Sequence, residues 1–324
     1  MKAMVIREPG GPDVLEMRDV SDPSIGPEDV LVRVRAIGVN RADLLQRAGL
    51  YPAPHGVPSD IPGLEFAGEV ESVGTRVLAW KMGDRVMGLV GGGAYAELVV
   101  AHEGTLHSVD SALSWEAAAA IPESIATAYD ALVLQGGLGY GNTALVTAGA
   151  SGVGCAGIQI AKAMGAKVIA TTRTEKKRVS MEAFGADSVI VANTAKDLTA
   201  ALPAASVDVV MDLIGGEYVG VSIELLRQKG KLVLVGLLAG RSAEIDLGLV
   251  LRKRLTLIGT VLRSRSLEEK LAVTRELNAH VLPMVRDGRV KPVVDRVFPF
   301  AEAAAAHMHL ATNESIGKVV LTLS

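Results

Sequence analysis

A glycine-rich turn is the strongest chemical signal in this sequence of 324 residues. It lies between a predicted strand and a predicted helix, and its sequence is Thr147-Ala-Gly-Ala-Ser-Gly-Val-Gly. Glycines let the backbone turn tightly and approach a pyrophosphate, whose negative charge is stabilised by the helix N-terminus. The turn therefore predicts a dinucleotide site, with Ser151 in the place of the middle glycine of the usual fingerprint. An ordinary strand-to-helix turn is the alternative interpretation.

The residues after the next predicted strand indicate which nucleotide binds. NAD-preferring enzymes usually have an acidic residue there, which binds the ribose 2′-hydroxyl. In this chain Thr171 and Thr172 occupy that place, and the cations Arg173, Lys176 and Lys177 follow. Two charge-assisted hydrogen bonds to a 2′-phosphate contribute roughly 3–6 kcal/mol. The pattern predicts a preference for NADPH, and the alternative is a solvated helix start with a mixed charge.

Alternating short strands and helices predict the domain that positions this turn. Six apolar, strand-like segments are found at 144–148, 167–171, 188–191, 207–211, 231–235 and 255–259. Helical segments separate most of them, and near-continuous apolar strands are typical of a parallel sheet that helices cover on both faces. The sequence therefore predicts an α/β chain whose middle part is a doubly wound, six-stranded Rossmann sheet.

The two ends of the chain predict a separate, β-rich domain. Its first strands are expected at 30–36, 66–73, 85–89 and 94–101. An Ala-rich helix from Trp115 leads into the middle of the chain, and the C-terminal part adds helices and a closing strand. We therefore expect a discontinuous catalytic domain of residues 1–120 and 264–324, and a nucleotide-binding domain of residues 121–263.

Composition excludes several classes of protein. A net charge of −3, a pI near 6.1 and 3% aromatic residues argue against nucleic-acid binding. The single cysteine, Cys155, excludes an internal disulfide and a thiolate zinc cluster, and we expect it to be buried by packing. No apolar stretch is expected to reach the ~18 residues of a membrane helix, and no signal-peptide core is evident. We expect a cytoplasmic protein without a membrane partner.

Two segments resemble signatures of the medium-chain dehydrogenase/reductase superfamily, namely Gly38-Val-Asn-Arg-Ala-Asp and Pro62-Gly-Leu-Glu-Phe-Ala-Gly-Glu-Val. Zinc-dependent alcohol dehydrogenases of that superfamily carry a cysteine where Asn40 stands and a histidine where Leu64 stands. Neither residue here suits zinc, and a catalytic zinc needs about three protein ligands. His307 and His309 are two apart on a predicted helix, so they point to different sides. We therefore expect no zinc.

The chain as a whole resembles the zinc-free quinone oxidoreductase, or zeta-crystallin-like, branch of the superfamily, and looks closest to tumour-suppressor-inducible quinone oxidoreductases. The matching stretches include those that begin at Asn40, Lys81, Gly91, Gly149, Asp212, Gly230, Leu262 and Ile316. The resemblance implies a GroES-like catalytic domain, a Rossmann domain and a cleft between them. It also implies a homodimer formed through the sheet edge near 255–262.

The resemblance also implies roles for individual residues. Two of them, Asn40 and Tyr51, are expected at the nicotinamide end of the cleft and are assigned to catalysis. The expected cofactor-binding residues, including those from the 2′-phosphate argument, are Thr127, Ser151, Gly152, Val153, Thr172, Arg173, Lys177, Asn193, Gly236, Leu237, Leu238, Leu262, Arg263 and Ser264. At Thr194 the chain departs from the family, which often has tyrosine there.

Plainer roles are open for several of these residues. Asn40 and Asp43 have the spacing of a helix N-cap and its third residue. Tyr51 is either a packing anchor or a site residue, and Arg263 either a solvated loop residue or a cofactor contact. For Asp43 and Glu65 a structural role is the expectation.

The expected reaction is hydride transfer from NADPH to a small-molecule quinone or enone. Without a metal to polarise a carbonyl, substrates that accept hydride readily are favoured. The proton source stays open between water, the Tyr51 hydroxyl and a ribose hydroxyl. An NADPH-dependent 2-alkenal or enone double-bond reductase is the nearest alternative. A zeta-crystallin-like RNA-binding or structural protein is the alternative outside enzymes.

Overall fold

This computed structural model describes residues 1–323. Its strands are β1 (Lys2–Ile6), β2 (Leu15–Asp19), β3 (Asp29–Val39), β4 (Glu65–Val73), β5 (Arg85–Leu89), β6 (Leu98–His102), β7 (Leu106–Ser108), β8 (Thr143–Val146), β9 (Lys167–Thr172), β10 (Ser188–Val191), β11 (Val207–Asp212), β12 (Leu226–Leu234), β13 (Thr256–Gly259), β14 (Val294–Pro299) and β15 (Lys318–Thr322). Its α-helices are α1 (Arg41–Arg47), α2 (Trp115–Ala119), α3 (Pro122–Tyr129), α4 (Gly152–Ala163), α5 (Arg178–Ala183), α6 (Ala195–Ala201), α7 (Tyr218–Leu225), α8 (Leu247–Lys253), α9 (Leu267–Glu276), α10 (Leu282–Arg286) and α11 (Ala303–Ala311). Two π-helical segments cover Asp130–Gln135 and Leu277–Val281.

The chain divides into two units. The GroES-like unit contains Met1–Glu123, Arg263–Asn278 and the chain from Pro292 onward, and the Rossmann unit contains Ser124–Leu262 and Ala279–Lys291. The expected division placed all of 264–324 in the first unit, so it differs at 279–291, and its boundaries differ by a few residues at 121–123 and at Arg263. Hydrogen bonds explain the difference, since the Gln159 amide donates to the Lys291 carbonyl at 3.0 Å and accepts from its N–H at 2.8 Å.

The Rossmann unit contains the predicted six-stranded sheet. Its strand order is β10-β9-β8-β11-β12-β13, and every neighbouring pair is parallel. In the order of the chain this is 3-2-1-4-5-6, the order of the doubly wound dinucleotide fold. Strand residues such as Leu145, Val168 and Val210 are fully buried because helices pack against the sheet. The predicted fold class is confirmed.

The GroES-like unit is built around a mostly antiparallel sheet. Its order is β14-β15-β3-β4-β5-β7, and β6 pairs with the other end of β3. Along β3 the buried Val30, Val32 and Val34 alternate with half-exposed residues, as the sequence pattern predicts. Arg33 and Arg35 lie on the exposed face and pair with carboxylates of β4 at 2.7 and 2.8 Å.

Two parts of this unit differ from the expectation. The antiparallel hairpin of β1 and β2 was not predicted, because each strand is five residues long and β2 is mostly exposed. The expected strand at 94–101 is shorter, since regular pairing with β3 covers only Leu98–His102. Residues 94–96 instead approach the first strand, where Ala96 forms a bridge with Ala3.

One helical stretch is longer and more apolar than expected. Trp115–Gln135 has 21 residues and is apolar enough to cross a membrane by length and composition alone. The expectation that no stretch would reach this length was therefore wrong. Within the protein 78% of its apolar window is buried, which is the pattern of a core helix.

Candidate active site

The glycine-rich turn connects β8 to α4 in the Rossmann unit. Ser151 is the N-cap of α4, and its hydroxyl oxygen accepts a hydrogen bond from the Gly154 N–H at 3.0 Å. A Cβ at Gly154 would lie 2.5 Å from the Ala148 carbonyl oxygen, so this position requires glycine. Cys155, in the first turn of the helix, is 2% exposed, which confirms its predicted burial. The turn has the form of a pyrophosphate-binding loop.

Most of the predicted cofactor residues meet at one edge of the parallel sheet. The structure places Ser151, Gly152 and Val153 after β8, Thr172, Arg173 and Lys177 at the end of β9, Asn193 after β10, Gly236, Leu237 and Leu238 after β12, and Leu262 after β13. Parallel strands bring their carboxyl ends to the same edge, where ligands of this fold bind. Contacts of these residues with a cofactor stay predictions.

Three predicted cofactor residues lie elsewhere. Thr127 is buried within α3, and Arg263 and Ser264 belong to the GroES-like unit. Arg263 is 7% exposed, so the alternative of a solvated loop residue was wrong.

The end of β9 carries the residues expected at the 2′-phosphate. The Thr171 hydroxyl accepts a hydrogen bond from the Ala148 N–H at 3.1 Å, so it is tied to the glycine-rich turn. Thr172 is buried, whereas Arg173 is exposed and Lys177 half-exposed. Burial raises the pKa of Tyr218, and the positive charge of nearby Arg173 acts in the opposite direction. The end of this strand is therefore polar and cationic.

A buried aspartate at the end of β11 was not among the predicted residues. Asp212 is fully buried, and its Oδ1 accepts from the Thr147 hydroxyl at 3.1 Å and from the N–H groups of Ile214 and Gly215 at 2.8 and 3.1 Å. Burial raises the pKa of Asp212, against these hydrogen bonds. The carboxylate thus ties the end of β8 to the turn that follows β11.

In the GroES-like unit, Asn40 belongs to a buried cluster of polar side chains that hydrogen-bond to one another. Its Oδ1 accepts from the Lys318 ammonium at 2.6 Å, and its Nδ2 donates to Glu65 Oε1 at 2.9 Å and to the Gly38 carbonyl at 3.2 Å. Lys318 also pairs with Glu65 at 2.5 Å. Both amide hydrogens of Asn40 are therefore engaged within this unit. Its predicted place in catalysis stays a prediction, and the geometry gives it a structural role as well.

Glu65 connects this cluster to a helix. Its side chain is fully buried. Its Oε2 accepts a hydrogen bond from the Glu123 N–H at 2.8 Å, in the first turn of α3. The expectation that this glutamate is structural agrees with these contacts.

A second buried chain of hydrogen bonds starts at Asp43. Its carboxylate accepts from the Asn40 N–H at 2.7 Å, the Gly63 N–H at 3.2 Å and the Tyr95 hydroxyl at 3.3 Å. The contact with Asn40 is the predicted helix-capping arrangement of α1. Burial raises the pKa of Asp43 to about 6, although the hydrogen bond from Asn40 opposes this.

At the other end of this series of hydrogen bonds, the partners of His307 determine which of its ring nitrogens carries the hydrogen. Arg47 lies 3.2 Å from His307 Nδ1, and because arginine only donates, that nitrogen accepts. Nε2 therefore carries the hydrogen and donates to the Tyr95 oxygen at 3.0 Å, which leaves the Tyr95 hydroxyl to donate to Asp43. Burial, helped by the charge of Arg47, lowers the pKa of His307 to about 3, so the ring is neutral.

The second predicted catalytic residue, Tyr51, lies in the loop after α1. Its ring is half-buried, and the Arg263 guanidinium lies over it at 5.0 Å from the ring centroid. Burial raises the pKa of Tyr51, against the positive charge of Arg263. The phenol is therefore protonated at neutral pH and available as a donor.

The positions that bind zinc in related dehydrogenases do not fit the metal. Asn40 presents an amide whose oxygen already accepts from Lys318, and Leu64 is a buried apolar side chain. Between residues 1 and 323, no three His, Cys, Asp or Glu side chains are grouped as metal ligands would be. His307 and His309 have different partners, since His309 pairs with Asp295 at 2.7 Å.

Sequence reasoning missed several members of these clusters. Lys318 and Asp212 lie inside stretches that carried the family resemblance, so the signal was a charged residue at the end of an apolar strand. Tyr95 lay in the matching Gly91 stretch. Arg47 and His307 gave no signal of pairing, because 260 residues separate them.

Comparisons with known proteins agree with this geometry. Residues 26–111 match the family described as alcohol dehydrogenase GroES-like domain, and residues 152–278 match the family described as zinc-binding dehydrogenase. A quinone oxidoreductase of Pseudomonas aeruginosa is 35% identical over 324 residues, which cover 96% of each chain. Another, from Lama guanicoe, is 33% identical and covers 100% of this chain and 98% of its own.

Solved structures with the same fold include Escherichia coli quinone oxidoreductase complexed with NADPH, with a TM-score of 0.87, 28% identity and full coverage of both chains. An NAD-dependent alcohol dehydrogenase has a TM-score of 0.86 and 30% identity, also over both full chains. The chain is therefore an oxidoreductase that belongs to the medium-chain dehydrogenase/reductase superfamily, in which its full-length relatives include quinone oxidoreductases.

Proposed function

We propose that the chain is an NADPH-dependent, zinc-independent quinone oxidoreductase. The observation that carries the cofactor choice is the end of β9, where Thr171 and Thr172 stand instead of an acidic residue and Arg173 follows. Solved relatives include both an NADPH complex and an NAD-dependent enzyme, so the proposed preference for NADPH rests on this strand end. When bound, NADPH supplies a hydride to the substrate.

The residues of the Rossmann unit fit a dinucleotide with a 2′-phosphate. The first turn of α4, capped by Ser151, presents backbone N–H groups to the pyrophosphate. Thr172, Arg173 and Lys177 bind the 2′-phosphate through a hydroxyl and two cations. Asp212 positions the turn after β11 but does not itself need to touch the cofactor.

The substrate class follows from the polar groups available in the GroES-like unit. Because Asn40 and Leu64 do not fit a metal, the enzyme relies on substrates that accept a hydride without Lewis-acid help, and quinones are such substrates. The names of the full-length relatives support the same class. Tyr51 then supplies a phenolic donor, and water completes the protonation of the product.

Oxidation of NADPH followed at 340 nm with 1,2-naphthoquinone as acceptor tests this proposal. We expect rapid turnover that resists a chelator and is much slower with NADH. Loss of activity with chelator would contradict zinc independence, and equal rates with both nucleotides would contradict the assignment at β9. Faster turnover of a 2-alkenal than of any quinone would reassign the enzyme as an enone reductase.

We also propose that the protein is a cytoplasmic homodimer joined at the β13 edge of the Rossmann sheet. This strand has a neighbour on one side only, and Leu257 and Val261 are 36% and 49% exposed. Leu247 and Leu251 of α8 are 71% and 76% exposed. Light scattering coupled to gel filtration should give twice 33.7 kDa for the wild type. Leu257→Lys should give a monomer, and an unchanged dimer would move the interface elsewhere.

A further inference from the structure

Arg263 is a buried cation whose hydrogen-bond partners are all neutral. Its Nε donates to the Gly91 carbonyl at 2.6 Å, its Nη1 to the Tyr51 carbonyl at 3.3 Å and its Nη2 to Gln46 Oε1 at 2.5 Å. It is 7% exposed and forms no ion pair with any residue from 1 to 323. Buried charges are usually paired with an opposite charge. The positive charge of Arg263 is therefore left uncompensated by a contacting carboxylate.

Three hydrogen-bond donors of Arg263 and Tyr51 have no partner between residues 1 and 323. A guanidinium has five N–H groups, of which the three contacts above use three. The Tyr51 hydroxyl also lacks a hydrogen bond to the described chain, and its ring lies within 5.0 Å of the guanidinium carbon. Two guanidinium N–H groups and one phenol are thus available on neighbouring side chains.

Gly92 lies beside one guanidinium nitrogen of Arg263. A Cβ at Gly92 would lie 3.5 Å from Nη2 of Arg263 and 3.4 Å from the Pro58 carbonyl oxygen. Because a Cβ would already touch these atoms, a side chain longer than a methyl group at this position would crowd the guanidinium and the residues around it. The glycine therefore adds no side chain against the cation.

The position of the guanidinium is fixed in advance. Gln46 accepts from Arg263 through Oε1 and donates through Nε2 to the Ser59 carbonyl at 3.0 Å, so its amide is held at both ends. Gly91 and Tyr51 hold the guanidinium from two further segments. Donors fixed before a ligand arrives need no reorganisation when charge develops on it.

We propose that Arg263 and Tyr51 form a binding site for the negatively charged oxygen of the reduced substrate, a quinol monoanion or an enolate. This inference rests on the proposed function. A quinone that takes up a hydride becomes a quinol monoanion, and a proton from water then gives the neutral quinol. In an enone the hydride forms a C–H bond at the β-carbon, the π electrons move onto oxygen as an enolate, and a proton adds at the α-carbon. In both cases one oxygen carries negative charge before protonation, and a nearby fixed cation stabilises it.

A stable quinone-like anion, which resembles the proposed quinol monoanion or enolate, allows binding to be measured without any reaction. The compound 2-hydroxy-1,4-naphthoquinone is ionised at neutral pH, whereas its 2-methoxy ether is neutral and similar in shape. Calorimetric titration of the purified protein should give a dissociation constant at least about tenfold lower for the anion than for the ether, as expected for one charge-assisted hydrogen bond. Equal affinities for the two compounds would overturn the proposal.

Variants decide which residue produces this preference. Arg263→Gln should reduce the ratio of the two dissociation constants to near one, Tyr51→Phe should reduce it in part, and Gly92→Val should reduce it while the charge remains. Arg18→Gln is the matched control, because it removes an equal charge from an exposed arginine of the same unit. A preference that survives in both Arg263→Gln and Gly92→Val would contradict the assignment. If Arg263→Gln fails to fold, the ratio in Gly92→Val and Tyr51→Phe decides the outcome.

Quinone turnover with NADPH is measured on the same preparations. Anion preference without turnover of any quinone would remove the proposed function and leave the anion site. Turnover without anion preference would remove this inference and leave the proposed function.

Discussion

The ammonium nitrogen of Lys318 lies 2.6 Å from Oδ1 of Asn40, although 278 residues separate them in the chain. The same nitrogen pairs with the fully buried Glu65 at 2.5 Å. One cation therefore satisfies both groups at the place where zinc-dependent relatives hold their metal ligands. This relationship explains why an asparagine is tolerated in the interior at that position.

Replacing Lys318 with Met should strongly destabilise the protein. The substitution leaves Glu65 as a buried charge without an opposite charge beside it, which costs about 3–5 kcal/mol. Urea unfolding monitored by circular dichroism measures this loss. The double variant Lys318→Met with Glu65→Gln should recover part of it, because no buried charge remains. A single variant as stable as the wild type would mean that the pair does not contribute to stability.

Asp43 should make stability depend on pH between about 4 and 6. Burial raises the pKa of its carboxyl to about 6 in the folded protein, against 3.8 for the ordinary group, so the folded state binds the extra proton in this window. Stability therefore falls as pH rises through it, by about 3 kcal/mol in total for this one group.

Comparison with Asp43→Asn isolates this effect, since other carboxyl groups are common to both proteins. The unfolding free energy of the wild type, minus that of the variant, should decrease from pH 4 to pH 7. An increase instead would mean that the donors from Asn40, Gly63 and Tyr95 outweigh burial.

Removal of the cations after β9 should weaken NADPH binding selectively. Arg173→Ala and Lys177→Ala should each cost about 1.5–3 kcal/mol of NADPH affinity, because each removes a charge-assisted hydrogen bond to the 2′-phosphate. NADH affinity should change little, since that nucleotide lacks the phosphate. Arg227→Ala is the control, because this arginine pairs with Asp208 at 2.8 Å, and both residues lie at the amino ends of β11 and β12, opposite the carboxyl ends where the nucleotide is expected. Equal losses for the two nucleotides, measured by fluorescence titration, would refute the assignment.

Ala148→Gly should leave the fold intact and raise stability slightly. Ala148 has φ +49° within the glycine-rich turn, a conformation that costs an L-residue roughly 1–2 kcal/mol. Glycine adopts it freely, although part of the gain is lost to the greater freedom of the unfolded chain. Ala150→Gly, at a residue without positive φ, should instead destabilise by about 0.5–1 kcal/mol. Thermal unfolding of both variants compares them, and equal losses would mean that Ala148 is not strained.

The Rossmann unit was predictable because its signals are local. The apolar segment before Thr147, the glycines after it and the alternation of strands and helices each lie within a few tens of residues. Strand order then follows from the handedness and short connections of such units. The same locality explains why the residues expected at the 2′-phosphate could be placed at the end of β9, where their binding role stays a prediction.

The polar clusters of the GroES-like unit were not predictable in this way. Lys318 and His307 reach Asn40 and Arg47 from the far end of the chain, and a single sequence contains no signal of such pairs. The hairpin formed by β1 was missed because one of its strands is mostly exposed and lacks clear alternation. Arg263 is open between a solvated loop residue and a cofactor contact in the sequence, and its buried contacts with Gly91 and Gln46 are visible only in the fold.

Cys155, the only cysteine of the chain, is buried in the first turn of the helix that follows the glycine-rich turn. A thiol reagent reaches it only when that turn opens, so its modification rate measures the frequency of local opening without any engineered label. A nucleotide bound at the turn would hold it closed and slow the modification. The protein therefore carries its own chemical reporter of occupancy at the loop where binding is expected.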